Sequence, residues 1–144
     1  MGEIRVKVKL TNSFDEMRLR RGEILEREVR KYDADAVVDT GAVRSVIPVH
    51  VLDRLGLLTR GRRVTQYADG RKESVSLSEP IVFDILDRDT LEEAMVFGDE
   101  VLIGQTVLEK LDLLADCANR RLIPNPAHPD QPVSKIRRRR ESFG

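Results

Sequence analysis

The chain has 144 residues, enough for one domain with a modest core. Acidic and basic residues balance at 25 each, but 24 acidic and 20 basic residues precede Lys135, so a weakly acidic body leads into a basic tail. This balance argues against a nucleic-acid-binding fold, and no stretch reaches the roughly 20 apolar residues of a membrane span. The single cysteine, Cys117, excludes an intrachain disulfide and favours a reducing compartment, so we expect a cytoplasmic protein without membrane contact.

The N-terminal third contains one clear strand and one ambiguous segment. Apolar and charged residues alternate over residues 4–10, which predicts a half-buried strand. Residues 15–31 are dense in charge and fit two structures. Their propensity permits a helix, although Gly22 interrupts it, whereas two strands about a turn at Arg21-Gly22 fit the alternation of apolar residues equally well. We favour the two strands.

An apolar strand over residues 34–38 runs into the sequence Asp-Thr-Gly-Ala at residues 39–42. This arrangement places a carboxylate at a sharp turn beside the core, which is costly unless the carboxylate is hydrogen-bonded or shares a proton. Asp, Thr and Gly are also ordinary turn residues, so a purely structural turn is the competing interpretation. A short return strand over residues 43–47 and a helix over residues 49–55, ended by Gly56, are predicted to follow.

The second half of the chain reads as short strands separated by turns. The clearest hairpin spans residues 62–77, with Asp69-Gly70 as the favoured pair for a two-residue type I′ turn. The pattern then predicts strands over residues 81–86, 91–96, 101–103 and 121–124, and a helix over residues 105–111. The whole chain is therefore predicted to be all-β with two short helices, as a domain over residues 1–132 and a basic, disordered tail over residues 133–144.

Three features, in this order, resemble the retroviral-type (retropepsin-like) aspartic proteases. They are the strand ending in Asp-Thr-Gly-Ala, the hairpin with its small-residue tip about thirty residues later, and Val-Leu-Ile-Gly at residues 101–104 leading into a helix. The helix after Pro48, the Ala-Asp-Gly tip and Arg-Leu-Ile-Pro at residues 121–124 are similar to the small single-domain prokaryotic members. The resemblance implies a retropepsin-like acid protease half-barrel whose active form is a symmetric homodimer.

The resemblance also implies an aspartic endopeptidase that needs no metal or other cofactor and acts on a polypeptide in extended conformation. In this chemistry two close carboxylates share one proton, and the ionised carboxylate activates the water that attacks the peptide carbonyl. Because the sequence holds one Asp-Thr-Gly, the chain would supply half a site, and Asp39 of each subunit would meet at a two-fold axis. The implied catalytic residues are Asp39, Thr40 and Gly41, and the implied substrate-binding residues are Ala42, Tyr67, Ala68, Asp69 and Gly70.

Several alternatives stay open at the level of sequence. The same fold could serve as a non-catalytic peptide-binding or dimerisation module whose basic tail contacts an anionic partner. Nucleic-acid binding by the tail is not expected, because no aromatic residues are interleaved with its arginines. Tyr67 fits a flap contact and strand packing equally well. His50 and Asp53 fit a surface pair better than a metal site, since zinc needs three or four ligands. The strand over residues 4–10 and the segment 122–124 are both candidates for a dimer sheet.

Overall fold

The computed structural model describes residues 2–136, so most of the predicted basic tail lies outside the described residues. The strands are β1 (Arg5–Asn12), β2 (Lys31–Val38), β3 (Val46–Ile47), β4 (Thr59–Gln66), β5 (Lys72–Ser78), β6 (Ile81–Ile85), β7 (Arg88–Glu92), β8 (Met95–Val96), β9 (Leu102–Ile103), β10 (Leu113–Asp116) and β11 (Arg121–Pro124). The helices are α1 (Ser13–Arg20), α2 (Val49–Arg54) and α3 (Gln105–Leu111), with a 3₁₀ turn at Glu26–Glu28.

Nine strands form one sheet in the order β4-β5-β8-β3-β9-β2-β1-β6-β7, and β10 and β11 form a separate two-stranded ribbon. The core lies on one face of this sheet, because alternate residues of each strand point inward. Its fully buried members include Leu10, Ile47, Phe83, Ile85 and Ile103, which come from four different strands. The chain is therefore mostly β, as predicted, and its sheet is closed over by α2, α3 and the ribbon, whose Leu113 and Leu122 join the same core.

The prediction of two strands over residues 15–31 was wrong: this segment begins in α1, which raises the α-helices among the described residues from the predicted two to three. The side chain of Asn12 caps the helix by accepting hydrogen bonds from the backbone N–H groups of Phe14 and Asp15. Gly22, with a φ of 72°, ends the helix rather than interrupting one: its N–H bonds to the Leu19 carbonyl, as in a Schellman motif.

An ion pair between the buried Asp15 carboxylate and the half-exposed Arg30 holds this helix against the chain that follows. The Asp15 side chain is only 4% exposed, and its carboxylate accepts hydrogen bonds from the backbone N–H, Nε and Nη2 of Arg30 at 3.0, 2.8 and 3.0 Å. The side-chain hydrogen bonds from Arg30 lower the pKa of Asp15 below its ordinary value. The bond to the backbone of residue 30 also fixes where β2 begins.

Asp15→Asn is expected to destabilise the fold by about 1–3 kcal/mol, because charge-assisted hydrogen bonds to Arg30 are lost in a buried place. The lowered pKa gives the sign of the pH dependence: the stabilisation is present above the ordinary carboxylate pKa and is lost as the pH falls through the lower folded value. Urea unfolding between about pH 6 and pH 2 checks this. The wild-type advantage should shrink toward acid, whereas the exposed Asp99→Asn control should follow wild type throughout.

Two further predictions need correction. The hairpin tip is a three-residue loop, Ala68–Gly70, because Tyr67 N–H still bonds to the Arg71 carbonyl and Gly70 takes the positive φ of 89° after a turn. The strand predicted over residues 91–96 is two strands in different parts of the sheet: β7 pairs with β6 at one edge, and β8 lies between β5 and β3. The sequence pattern does not show this division, because it depends on how the chain between β7 and β8 packs.

The chain after β11 is held by a buried arginine. The Arg88 guanidinium, at the start of β7, donates to the carbonyls of Leu111, Asp112 and His128 at 2.9, 3.0 and 2.7 Å. The Asp112 carboxylate in turn lies 2.6 Å from His128 Nδ1 and accepts a 3.1 Å hydrogen bond from the N–H of Val133. These contacts attach residues 125–133 to the end of α3 and to the start of β7.

Candidate active site

Asp39 directly follows β2, an inner strand of the nine-stranded sheet. Two neighbouring strands fix the end of β2: Val38 N–H donates to the carbonyl of Ile4 at 2.8 Å, and Asp39 N–H donates to the carbonyl of Ile103 at 2.9 Å. The apolar residues that predicted this strand are the ones that bury it, with Ala36 fully buried and Val38 half-buried. The backbone of Asp39 is therefore placed by the rigid centre of the sheet.

The Asp39 carboxylate faces partly into solvent. Its Oδ1 accepts a 3.0 Å hydrogen bond from the N–H of Gly41, and its carbonyl accepts one from Ala42 N–H at 3.2 Å. Within residues 2–136, Oδ2 accepts no hydrogen bond and the carboxylate makes no ion pair. Such a carboxylate can act on a molecule that approaches from outside the chain.

The first turn of α3 holds the Asp39 loop by hydrogen bonds. Gln105 N–H donates to the carbonyl of Ala42 at 2.8 Å. The N–H and the Oγ1 of Thr106 both donate to the carbonyl of Val43, at 3.0 and 2.9 Å. The two N–H donors are backbone groups that a helix leaves unpaired at its N-terminus, so the loop and the helix pair each other's backbone groups. The sequence predicted this helix but gave no sign that it carries the loop.

Gly104 is the point at which the two segments touch. A Cβ at this position would lie 2.5 Å from the carbonyl carbon of Arg44, so the backbones approach too closely for any other residue. The Gly104 N–H donates to Oγ of Ser45, which is fully buried, at 2.9 Å. Sequence reasoning missed Ser45, because a single serine before a short apolar strand carries no distinctive pattern. By contrast, a Cβ on Gly41 would meet only Asp39 Oδ1 at 3.4 Å, so the single chain does not require glycine there.

Gly104→Ala is expected to destabilise the fold by about 2–3 kcal/mol, since the new methyl group forces apart two packed backbones. Gly61→Ala is the matched control: its Cβ would have no heavy atom within 4 Å, so it should be near neutral. Chemical unfolding of the two variants beside wild type measures the difference. Equal stability of the two variants would contradict the close contact between Gly104 and Arg44.

The predicted hairpin residues lie together at the end of the β4–β5 hairpin and are not joined to the Asp39 loop by hydrogen bonds among the described residues. β5 pairs with β8 only at Ser76 and Leu77, so the β4–β5 hairpin extends beyond the other strands of the sheet toward its tip. The Tyr67 hydroxyl lies 2.8 Å from Glu73 Oε2, and this hydrogen bond raises the pKa of Tyr67. The Arg71 guanidinium lies 4.8 Å from the Tyr67 ring centre. Within residues 2–136 no hydrogen bond joins residues 67–71 to residues 39–43.

The tip of the hairpin is fastened to itself. The Asp69 carboxylate accepts hydrogen bonds from the N–H and Nε of Arg71 at 3.0 and 2.8 Å. Ala68 and Gly70 are exposed beside it. Of the predicted site residues, the fold thus brings residues 39–42 into one supported loop and residues 67–70 into one exposed tip.

The remaining chemically reactive residues lie elsewhere. The His50 ring packs edge-on against Tyr32 with ring centres 6.2 Å apart, and Cys117 is exposed in the β10–β11 turn. In the described part of the chain, no three His, Cys, Asp or Glu side chains come together in a way that could hold a metal ion. None of the helices within residues 2–136 is long and apolar enough to cross a membrane.

The mostly β chain, with its large sheet and three short helices, has the fold of a retropepsin-like half-barrel, as its likeness to solved structures shows. One similar solved structure is the retroviral protease-like domain of Ddi1 from Leishmania major, with a TM-score of 0.53, 14% identity, and coverage of 92% of this chain and 90% of that chain. Another is the EIAV protease complexed with the inhibitor HBY-793, with a TM-score of 0.50, 13% identity, and coverage of 75% and 86%.

At this level of identity the likeness establishes the fold alone. No protein-family model matches the sequence. A search of curated proteins likewise finds no match. The residues that could perform chemistry must therefore be judged from their own geometry.

Proposed function

We propose that the chain is one half of a homodimeric aspartic endopeptidase, with Asp39 of both subunits forming the catalytic pair. The observation that carries the proposal is the Asp39 carboxylate itself. It is partly exposed, has one oxygen held by Gly41 N–H, and stands on a loop fastened to the sheet and to α3 in a retropepsin-like fold. The loop is held by hydrogen bonds to the sheet and to α3, and Oδ2 of Asp39 accepts no hydrogen bond within residues 2–136. This combination fits a catalytic role better than an ordinary turn.

The proposed mechanism follows from placing two such carboxylates together. They share one proton, since two like charges at hydrogen-bond distance cannot both stay ionised. The ionised carboxylate takes a proton from a water molecule, which attacks the peptide carbonyl. The protonated carboxyl donates a hydrogen bond to the developing oxyanion and then helps to protonate the leaving amine. In this proposal the exposed Thr40 hydroxyl bonds across the two-fold axis, and Ala42 is a small wall of the cleft.

The projecting hairpin suits the role of a flap. An extended substrate can add to a hairpin edge by main-chain hydrogen bonds, which bind many sequences with little regard to side chains. We assign Tyr67 and residues 68–70 to this contact. Opening and closing would move a tip whose charged Asp69–Arg71 pair and Tyr67–Glu73 hydrogen bond keep it ordered as a unit.

The terminal ribbon is the surface that we assign to the dimer. A two-stranded sheet is marginal by itself and leaves N–H and C=O groups unpaired on both outer edges. On its outward face Leu114 is 46% exposed and stands opposite Ile123, which is half-buried. The other candidate, residues 4–10, fits less well, because β1 pairs with β2 along one edge and β6 occupies the other edge from Lys9 onward, so only its first residues are open.

Cleavage and association measured together test the proposed function. The purified chain, incubated with an unstructured peptide library at several pH values, should cleave best under mildly acidic conditions, where a shared proton is retained. Statine-type transition-state analogues should block this cleavage, and sedimentation should show a dimer in the same concentration range. A stable monomer at micromolar concentration that nevertheless cleaves peptides would contradict the half-site proposal.

A further inference from the structure

The β4–β5 hairpin carries an excess of positive charge on a chain whose body is weakly acidic. Residues 59–78 hold five basic and two acidic residues. Three of the basic residues, Arg60, Arg62 and Arg63, lie on β4, which has no acidic residue, and all three are exposed. Among the described residues only Arg60 of these three has an acidic partner, Glu93, at 3.4 Å. The strand therefore presents guanidinium groups that other charges of the chain do not neutralise.

The outer edge of β4 is open. β4 lies at one end of the nine-stranded sheet, so no strand of the described chain pairs with this edge. Tyr67 N–H bonds to the Arg71 carbonyl, so the backbone groups of the odd-numbered residues face β5. The N–H and C=O groups of Arg62, Val64 and Gln66 therefore point outward. Such an edge can accept an extended segment.

A groove of about 350 Å³ lies beside the first part of this edge. Its lining includes Gly61, Arg62 and Arg63, and no heavy atom lies within 4 Å of where a Cβ on Gly61 would be. Arg63 stands opposite the buried Val75 on one face of the hairpin. Arg62 stands opposite Ser76 on the other face. A strand added to this edge would thus have a guanidinium beside each of its faces.

The charge of the edge selects its occupant. A second copy of β4 would bring arginines against arginines, and like charges on neighbouring strands are destabilising. An acidic strand would instead place carboxylates beside Arg62 and Arg63, and Val64, which is 69% exposed, offers it an apolar contact. A nucleic acid fits less well, because β4 has no aromatic residue on which bases could stack. Nor does a phosphate backbone have N–H donors for the outward carbonyls.

We propose that the outer edge of β4 binds an extended acidic peptide by strand addition, with acidic side chains beside Arg62 and Arg63. Main-chain hydrogen bonds supply binding that does not depend on side chains, and the arginines supply the preference for acidic ones. The contact lies along β4 rather than at the tip assigned to the flap, and it holds whether or not the chain cleaves peptides. Since part of the attraction is between exposed charges, salt weakens it.

Fluorescence polarization of a labelled peptide, Glu-Glu-Thr-Val-Glu-Glu-Thr-Val, with the full-length protein tests the contact. The peptide should bind at least about tenfold more tightly than the same peptide with Gln in place of Glu. Raising NaCl from about 0.05 to 0.5 M should remove most of this difference. Arg62→Glu/Arg63→Glu should weaken binding about tenfold or more. Arg21→Glu/Arg27→Glu is the matched control, because it makes the same change in net charge at two exposed arginines outside the hairpin, and it should stay within about twofold of wild type.

Amide hydrogen exchange distinguishes strand addition from attraction by charge alone. In the complex the amides of Arg62, Val64 and Gln66 should gain protection, because they become paired with the peptide. The amides of Arg63 and Thr65 face β5 already, so their exchange should change little. Protection that alternates along β4 is a signature that adsorbed charge does not produce.

The same binding measured on Asp39→Asn separates this inference from the proposed enzyme. That variant should bind the peptide as wild type does, so a chain without protease activity would leave the inference standing. Equal binding of the Gln peptide, unchanged binding by Arg62→Glu/Arg63→Glu, or protection at another edge would overturn the proposal. So would tighter binding of an eight-nucleotide oligothymidylate.

Discussion

Asp39→Asn is expected to lower peptide cleavage by at least about 1000-fold while leaving the fold intact, because it removes the general base and the shared proton. The fold should survive because the side-chain oxygen of asparagine can still accept the 3.0 Å hydrogen bond from Gly41 N–H. Initial cleavage rates on an unstructured peptide, with circular dichroism and chemical unfolding on the same samples, measure the two effects separately.

The outcome also decides between the proposed enzyme and the alternative of a non-catalytic module. Asp99→Asn is the control, since it removes an exposed aspartate from another loop and should cleave as wild type does. If Asp39→Asn cleaved as fast as wild type, the catalytic proposal would fail. If wild type bound extended peptides without cleaving them at any pH, a non-catalytic peptide-binding module would be the better description of the protein.

Mixing subunits tests whether Asp39 is half of a site. An equal mixture of wild type and Asp39→Asn, allowed to exchange, should keep about a quarter of the cleavage of the same total amount of wild type, since only dimers with two Asp39 residues are active. An equal mixture of wild type and Asp99→Asn should cleave as fast as the same total amount of wild type. Activity of about half would show instead that each subunit works independently.

Leu114→Glu is expected to have the second large effect, because it places a charge on the outward face of the β10–β11 ribbon. In a symmetric dimer both subunits carry the change, so two like charges are buried near the axis. We expect the dimer dissociation constant to rise about 100-fold or more and cleavage to fall in parallel at low protein concentration. Analytical ultracentrifugation and cleavage rates over a dilution series measure both.

Leu91→Glu provides the comparison, since Leu91 is 51% exposed on β7, an edge strand of the large sheet that is not part of the ribbon. It should leave association and cleavage unchanged. Partial recovery of Leu114→Glu cleavage at high protein concentration would support a role in association. A dimer unaffected by Leu114→Glu would remove the ribbon from the interface, while the subunit-mixing experiment would still test the half-site.

Much of the fold could be predicted where the local pattern and the tertiary environment agree. The predicted helix over residues 105–111 and strand over residues 121–124 have the observed bounds, and the strand leading to Asp39 was found from its apolar run. Helix α1 was missed because its decisive features are a capping side chain and a distant ion pair, Asn12 and Asp15–Arg30, rather than an apolar stripe. Ribbon strand β10 was missed because it is four residues long and gains its place from β11.

By itself the sequence determined a mostly β chain with a carboxylate at the end of a buried strand and a glycine-entered helix. It could do so because strand periodicity, turn residues and helix ends are local properties of the chain. Only the tertiary structure decided that α3 holds the Asp39 loop, that Gly104 must lack a side chain against Arg44, and that the outer edge of β4 is open beside its arginines. The first two depend on contacts between segments about 60 residues apart and the third on the order of the strands, and no local pattern specifies either.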